Sequence, residues 1–392
     1  MSTPAGTFAD PFDAGPYARL QAALGLMGPS ARRVSRRAVI AAAIAWVPLV
    51  VLAAAEGLAI RPDPRESMLL DIAMHVRYLV SIPALVIAEV ACLPRLARIA
   101  HHFGAAGLIP ESERQRYDAL LDSTRRLLRS RPAEVVIVLL AYATTLAFSQ
   151  VWYPATVSTW VAPISAGVRS ISLAGWWRTL VSQPLFGILL MIWLWRLIVW
   201  ALFLWRIARL DLRLIPAHPD LSGGLAFVAT SLRAFQLVAF ALAAPLAGSV
   251  ASGLLYGAQA ELPFRNVVVI ALAVVLVLCA APLLAFFRPL VRARATGIFE
   301  YGQLAAALGR RFEEKWIESR NRIDPSALDA NDFSATTDLY SVTANVRAMR
   351  LLPVDLRGLV PLVVATLLPF VPVLFMMMPV EQVIQAVIKL LR

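Results

Sequence analysis

The chain has 392 residues, 59% of them apolar and only 16% charged, against roughly 25% charged in soluble domains. With a mean hydropathy of +0.69, there is more apolar surface than a water-soluble fold can cover. That excludes an ordinary cytosolic or secreted enzyme and predicts an all-α, polytopic membrane protein. The net charge of +12 is almost wholly arginine, since Lys315 and Lys389 are the only lysines; neither follows a glycine, which excludes a P-loop.

Residues 1–37 read as a polar, arginine-bearing N-terminal cytoplasmic segment with no cleavable signal. Seven stretches then meet the requirement of about 20 apolar residues for a spanning helix: 38–60, 69–93, 134–153, 184–208, 225–257, 266–288 and 358–379. The fifth is over-long and must tilt, break near Pro245 or project from the bilayer. Residues 38–288 thus form a six-helix transmembrane region, with 94–133 a cytoplasmic hairpin. Residues 289–357 form a cytoplasmic helical segment, in which 324–338 reads as a solvated linker. Residues 358–392 supply the seventh span and an interfacial C-terminal helix. Of the 37 Lys and Arg, 27 fall on the N-terminal side of the spans, seven on the other, and Arg77, Arg196 and Arg233 lie within spans. The positive-inside rule then places the N-terminus in the cytoplasm and the C-terminus outside.

Charges inside a bilayer are costly and are functional candidates by default. Arg196 sits midway along the fourth span with no acid on that helix, and Trp193 and Trp200 share its face. It either pairs with a backbone carbonyl or an acid on another helix, shielded by indoles, or lines an anion path. Depth arithmetic at 1.5 Å per residue predicts two interhelical ion pairs, Glu56–Arg77 near the outer face and Glu89–Arg233 near the inner one.

Between spans four and five lies a turn with His218, Asp220, Gly223 and Gly224. Asp220 or Ser222 can cap the following helix, and the glycines permit an unusual turn. Prolines recur within spans at 48, 83, 245, 282, 361, 369 and 372, and each frees a carbonyl that another group must satisfy. Pro369 and Pro372 together mark span seven as the candidate hinge. On span five, Ala244, Gly248, Ser252 and Ser249, Gly253, Gly257 are small residues four apart, a helix-packing pattern. No metalloprotease, serine-protease or EF-hand pattern is present, so no enzymatic activity, metal or cofactor is expected, and no nucleic-acid partner.

The run HPDLSGGLAF (His218–Phe227) resembles an HPDxxGGL signature of a family of bacterial multi-pass inner-membrane proteins without a characterised activity. DLYSVTANVRAMRLLPVDLR (Asp338–Arg357) is similar to that family's VRxMRxxP element. The resemblance implies a multi-pass protein of the bacterial inner (plasma) membrane and no particular activity. The expectation is then a passive channel or transporter for a small solute or ion, with Arg196 favouring a small anion. The alternative is a non-transporting scaffold or sensor that docks a cytoplasmic partner through 289–357. A homo-oligomer formed through span five or span seven is expected in either case.

Overall fold

The computed structural model describes residues 31–152, 158–165, 168–256, 263–318, 331–354 and 356–377. Helices joined by loops make up the described chain, and its only strands are the two-residue pair Ile164–Ser165 (β1) and Val168–Arg169 (β2), in which Ile164 pairs with Arg169. Six helical stretches are long and apolar enough to cross a membrane. A seventh joins them if Glu111–Leu128 and Arg131–Ala147, which meet at 41°, count as one crossing. The protein is an all-α polytopic membrane protein.

The first crossing, α1 (Ala31–Ala55), is an alanine- and valine-rich helix. It ends where Gly57 takes φ +68°, so that Leu58 N–H donates to Ala53 O and Gly57 N–H to Ala54 O. A left-handed glycine just past the last turn stops a helix in this way while satisfying its final carbonyls. The second crossing, α2 (Ile72–Ala105), is loosened by a π turn at Val76–Ser81 just before Pro83. Amphipathic α3 (Arg114–Leu128) and apolar α4 (Arg131–Trp152) follow, with α4 packed along α5 (Leu173–Ile207).

Pro48, inside α1, cannot donate to Ile44 O, and its ring crowds the turn before it. The first turns of α5 make good the loss: Trp177 Nε1 donates to Ile44 O at 3.1 Å and Ser182 Oγ to Ala45 O at 2.7 Å. The same segment is held from the other side by the loop before it. Gly175 lies so close to that loop that a Cβ there would meet Val161 O at 2.2 Å.

The expected long fifth span is divided at Phe235, whose ring is fully buried, into α6 (Thr230–Ala234) and α7 (Gln236–Tyr256); Pro245 lies inside the continuous α7. The small-residue face of α7 carries close packing on α2. A Cβ at Gly248 would meet Val76 Cβ at 3.0 Å, and Ser252 Oγ accepts from Ala73 N–H at 3.0 Å. Helix α8 (Phe264–Ala280) passes through a 3₁₀ turn at Ala281–Phe286, opened by Pro282 at its second position, into α9 (Phe287–Glu313). Antiparallel to α9 lies α10 (Asn331–Ala348). It takes up the described part of the stretch expected to be a linker: residues 331–338 are helical, packed through Phe333 against Phe312 of α9 and Trp316 of the π turn that follows it. The last crossing is broken between α11 (Leu356–Leu367) and α12 (Val371–Met377) by a 3₁₀ turn at Leu368–Phe370, at the proline pair. The C-terminal amphipathic stretch, Gly257 and residues 324–330 lie outside the described residues.

Candidate functional site

Two polar clusters lie at the arginine-rich end of the bundle, one within the helices and one in the loop above them. The inner cluster is built on Glu89 of α2. Its Oε1 takes Arg196 Nη2 of α5 at 2.9 Å, and its Oε2 takes Arg37 of α1. One carboxylate therefore bridges two guanidiniums on three helices, and the cluster carries one unit of positive charge. The Arg196 side chain is 4% exposed, its guanidinium lies 4.9 Å from the Trp193 ring, and its Nη1 has no hydrogen-bond partner. Trp193 is anchored by a 2.9 Å bond from Nε1 to Leu85 O, and Trp200 is stacked on Phe203. Both tryptophans are buried. Cation–π contact with a desolvated ring is worth about 2 kcal/mol and offsets part of the cost of burying Arg196.

The expected partner of Glu89 was Arg233, and the structure replaces it with Arg37 and Arg196. Arg233, on short α6, is exposed and makes no ion pair among the described residues, while Arg37 reaches inward from the start of α1. The Glu56–Arg77 pair does not form either. Glu56, just past α1, accepts the Leu173 backbone N–H at 3.0 and 2.9 Å, where the first turn of α5 presents the positive end of its dipole. Arg77 lies in the π turn of α2 and faces α5, donating to Gln183 Oε1 at 3.1 Å beside the Phe186 ring. Position along each helix axis does not decide these contacts; the rotation of the helix about its axis sets which neighbour each group meets.

The second cluster is the turn at His218–Gly224. Asp220 Oδ1 accepts from Ser222 N–H at 2.8 Å and Gly224 N–H at 3.1 Å, and Oδ2 from Ala226 N–H at 3.0 Å. Asp220 thus caps the 3₁₀ turn Ala226–Ala229 that leads into α6, and Ser222 Oγ takes no part. Burial raises the Asp220 carboxyl, but these three amides and His218 outweigh it and hold the group below its ordinary value. The turn needs left-handed backbone at Leu221 (φ +55°), Gly223 (+65°) and Gly224 (+94°). At Gly223 a Cβ would meet Met349 Cε at 3.0 Å, and at Gly224 it would meet Leu108 Cδ2 at 3.3 Å.

Those neighbours join segments far apart in sequence. Arg350 N–H donates to Leu221 O at 2.7 Å and Arg213 N–H to Leu108 O at 2.9 Å. Val346 and Met349 are buried, and α9 closes on the turn through Gly297, where a Cβ would meet Pro216 Cβ at 2.5 Å. The VRAMR element and the HPD turn therefore form one compact cap over an aromatic cluster in which Phe103 meets Phe203, Phe227 and Phe286.

Residues not among the sequence candidates include Arg37, which fell in the polar N-terminal segment, and Trp177. The signal for Arg37 was its place at the head of an apolar run, where a long side chain can reach into the bundle. Among the described residues no three His, Cys, Asp or Glu are grouped to hold a metal ion. No family model, no curated protein and no solved structure matches this chain.

Proposed function

We propose that this integral membrane protein is a passive channel or transporter for a small anion, with the Arg37–Glu89–Arg196 triad as its selectivity element. One observation carries the reading: two guanidiniums share a single carboxylate inside the bundle, so a net positive charge is kept where it is expensive. Arg196 Nη1 is unpartnered and closed off by its neighbours, so an anion reaches it only when α1, α2 and α5 separate. Kinship with the inner-membrane family, cytoplasmic placement of the arginine-rich end and a homo-oligomeric state belong to the same reading.

The test is flux of small anions into proteoliposomes of the purified protein, with Arg196→Ala as control. Selective flux abolished in folded Arg196→Ala is the expected result. Silent wild-type protein shown to be folded, or undiminished flux in the variant, overturns it.

A second reading has its own observation. Phe299 (72% exposed) and Leu304 stand open on α9, and Ile317 on the π turn that follows it. This favours a scaffold or sensor that docks a cytoplasmic partner along 289–357. On that reading Phe299→Ser abolishes association and leaves Arg196→Ala without effect.

A further inference from the structure

A wide cleft of about 1730 Å³ opens between α5 and the α8–α9 junction, larger than the roughly 300–1,000 Å³ of small-molecule pockets. Its walls carry apolar side chains, Ile198 and Leu202 from α5 and Val277 and Leu284 from the α8 side, of which Ile198, Val277 and Leu284 are exposed. Its charged lining has an excess of cations, Arg116, Arg209, Arg288 and Arg292 against Glu113, Asp211 and Glu300. Arg209 stands just past the end of α5, eleven residues beyond Ile198 and about 16 Å along its axis, and Arg288 opens α9 eleven residues beyond Val277, a comparable reach across the 3₁₀ turn. One leaflet of hydrocarbon is about 15 Å thick. The cleft therefore runs the depth of a single leaflet, with arginines where headgroups lie.

Those arginines are available. Arg209 stacks on the exposed Trp205 ring at 3.4 Å, which holds its guanidinium at the mouth. Arg288 and Arg292 are exposed on successive turns of α9. Among the described residues none of the three is in an ion pair. Of the acids that share the lining, Glu113 is taken by Arg116 at 3.0 Å, and Asp211 and Glu300 are exposed and in no ion pair among the described residues. A site with apolar walls of leaflet depth and unneutralised guanidiniums at its edge matches a molecule with acyl chains and an anionic phosphate head.

We infer that the α5–α8/α9 cleft is a binding site for an anionic diacyl phospholipid, gripped through its headgroup phosphate by Arg209, Arg288 and Arg292. The inference does not depend on the transport reading, since the cleft is lined by neither Arg37, Glu89 nor Arg196.

Native mass spectrometry of the detergent-purified full-length protein tests it, with phosphatidylglycerol and phosphatidylcholine of identical chains as probes. The expected result is retention of phosphatidylglycerol over phosphatidylcholine, weakened more than about tenfold by the triple change Arg209→Gln, Arg288→Gln, Arg292→Gln. Removing three exposed arginines outside the cleft, Arg98, Arg126 and Arg129, lowers net charge equally and leaves retention unchanged. Ala201→Trp, which fills the apolar wall with the arginines intact, also expels the lipid. Excess glycerol 3-phosphate fails to displace it, which separates a lipid headgroup from a free phosphate. Equal retention of both lipids, equal loss in the two triple variants, or retention in Ala201→Trp overturns the assignment. Thermal melts verify that each variant is folded.

Discussion

Glu89 and Asp220 are both carboxylates withdrawn from water at the arginine-rich end, one inside the bundle and one in the loop above it, and they are satisfied in different ways. Asp220 is held by backbone N–H groups that the turn itself supplies, so its partners are local and follow from a ten-residue motif. Glu89 sits on a continuous helix whose own amides are already used, so its charge is balanced only by side chains from two other helices. A loop can fold its donors around an acid, whereas a spanning helix has to borrow them from its neighbours.

The largest test of that contrast is Glu89→Gln. It leaves Arg37 and Arg196 facing each other without a counter-charge, and breaking a buried pair from one side costs about 3–5 kcal/mol. The expected outcome is a sharply lowered melting temperature in detergent, partly restored by adding Arg196→Met. Absence of rescue would show that the two guanidiniums are not the source of the loss. Next comes Gly297→Ala, where the new Cβ falls 2.5 Å from Pro216 and 3.1 Å from Val346. Overpacking of this kind costs about 1–3 kcal/mol. It should free the cap to exchange amide hydrogens while the bundle stays protected; a uniform loss of protection would mean cap and bundle unfold as one unit.

Asp220→Asn is smaller, about 1–2 kcal/mol, since a neutral amide keeps one acceptor of the two. It also carries a pH signature. The Asp220 carboxyl is depressed in the folded state, so its contribution is complete above the unfolded value near 3.9 and is lost as pH falls through the folded value. Wild type and variant should therefore differ at pH 7 and converge only as acidification carries the pH from the unfolded value down through the depressed folded one. A gap that persists there would assign the loss to packing. The smallest effect sharpens the comparison at the backbone. Trp177→Phe should cost about 1 kcal/mol by orphaning Ile44 O, and almost nothing in a Pro48→Ala background, where residue 48 donates to that carbonyl again. Equal losses in both backgrounds would sink the idea that Trp177 serves the proline.

Much of this was legible in the sequence because the bilayer imposes one-dimensional rules. Length and hydropathy alone mark the crossings from α1 to α12, and the proline pair at 369 and 372 falls where the last crossing is broken. That Asp220 or Ser222 caps the next helix was legible in the turn composition, the choice of Asp220 was not, and the small residues of α7 were legible from their spacing of four. The break at Phe235 was not legible, because nothing in its local sequence competes with Pro245 as a breaker. Nor was the helicity of 331–338, whose Asp, Ser and Thr residues have little helical preference of their own and are held by packing of Phe333 on α9.

The sequence by itself determined the class, the approximate crossings and the distribution of arginine, since each depends only on position along the chain. The tertiary structure decided which charges meet, that the HPD turn and the VRAMR element share one cap, and that α5 parts from α8 and α9 to leave a cleft. Those outcomes depend on the rotation of each helix about its axis. Rotation is set by side-chain packing among several helices at once, such as Trp177 on α1 and Gly248 on α2, which no single stretch of chain encodes.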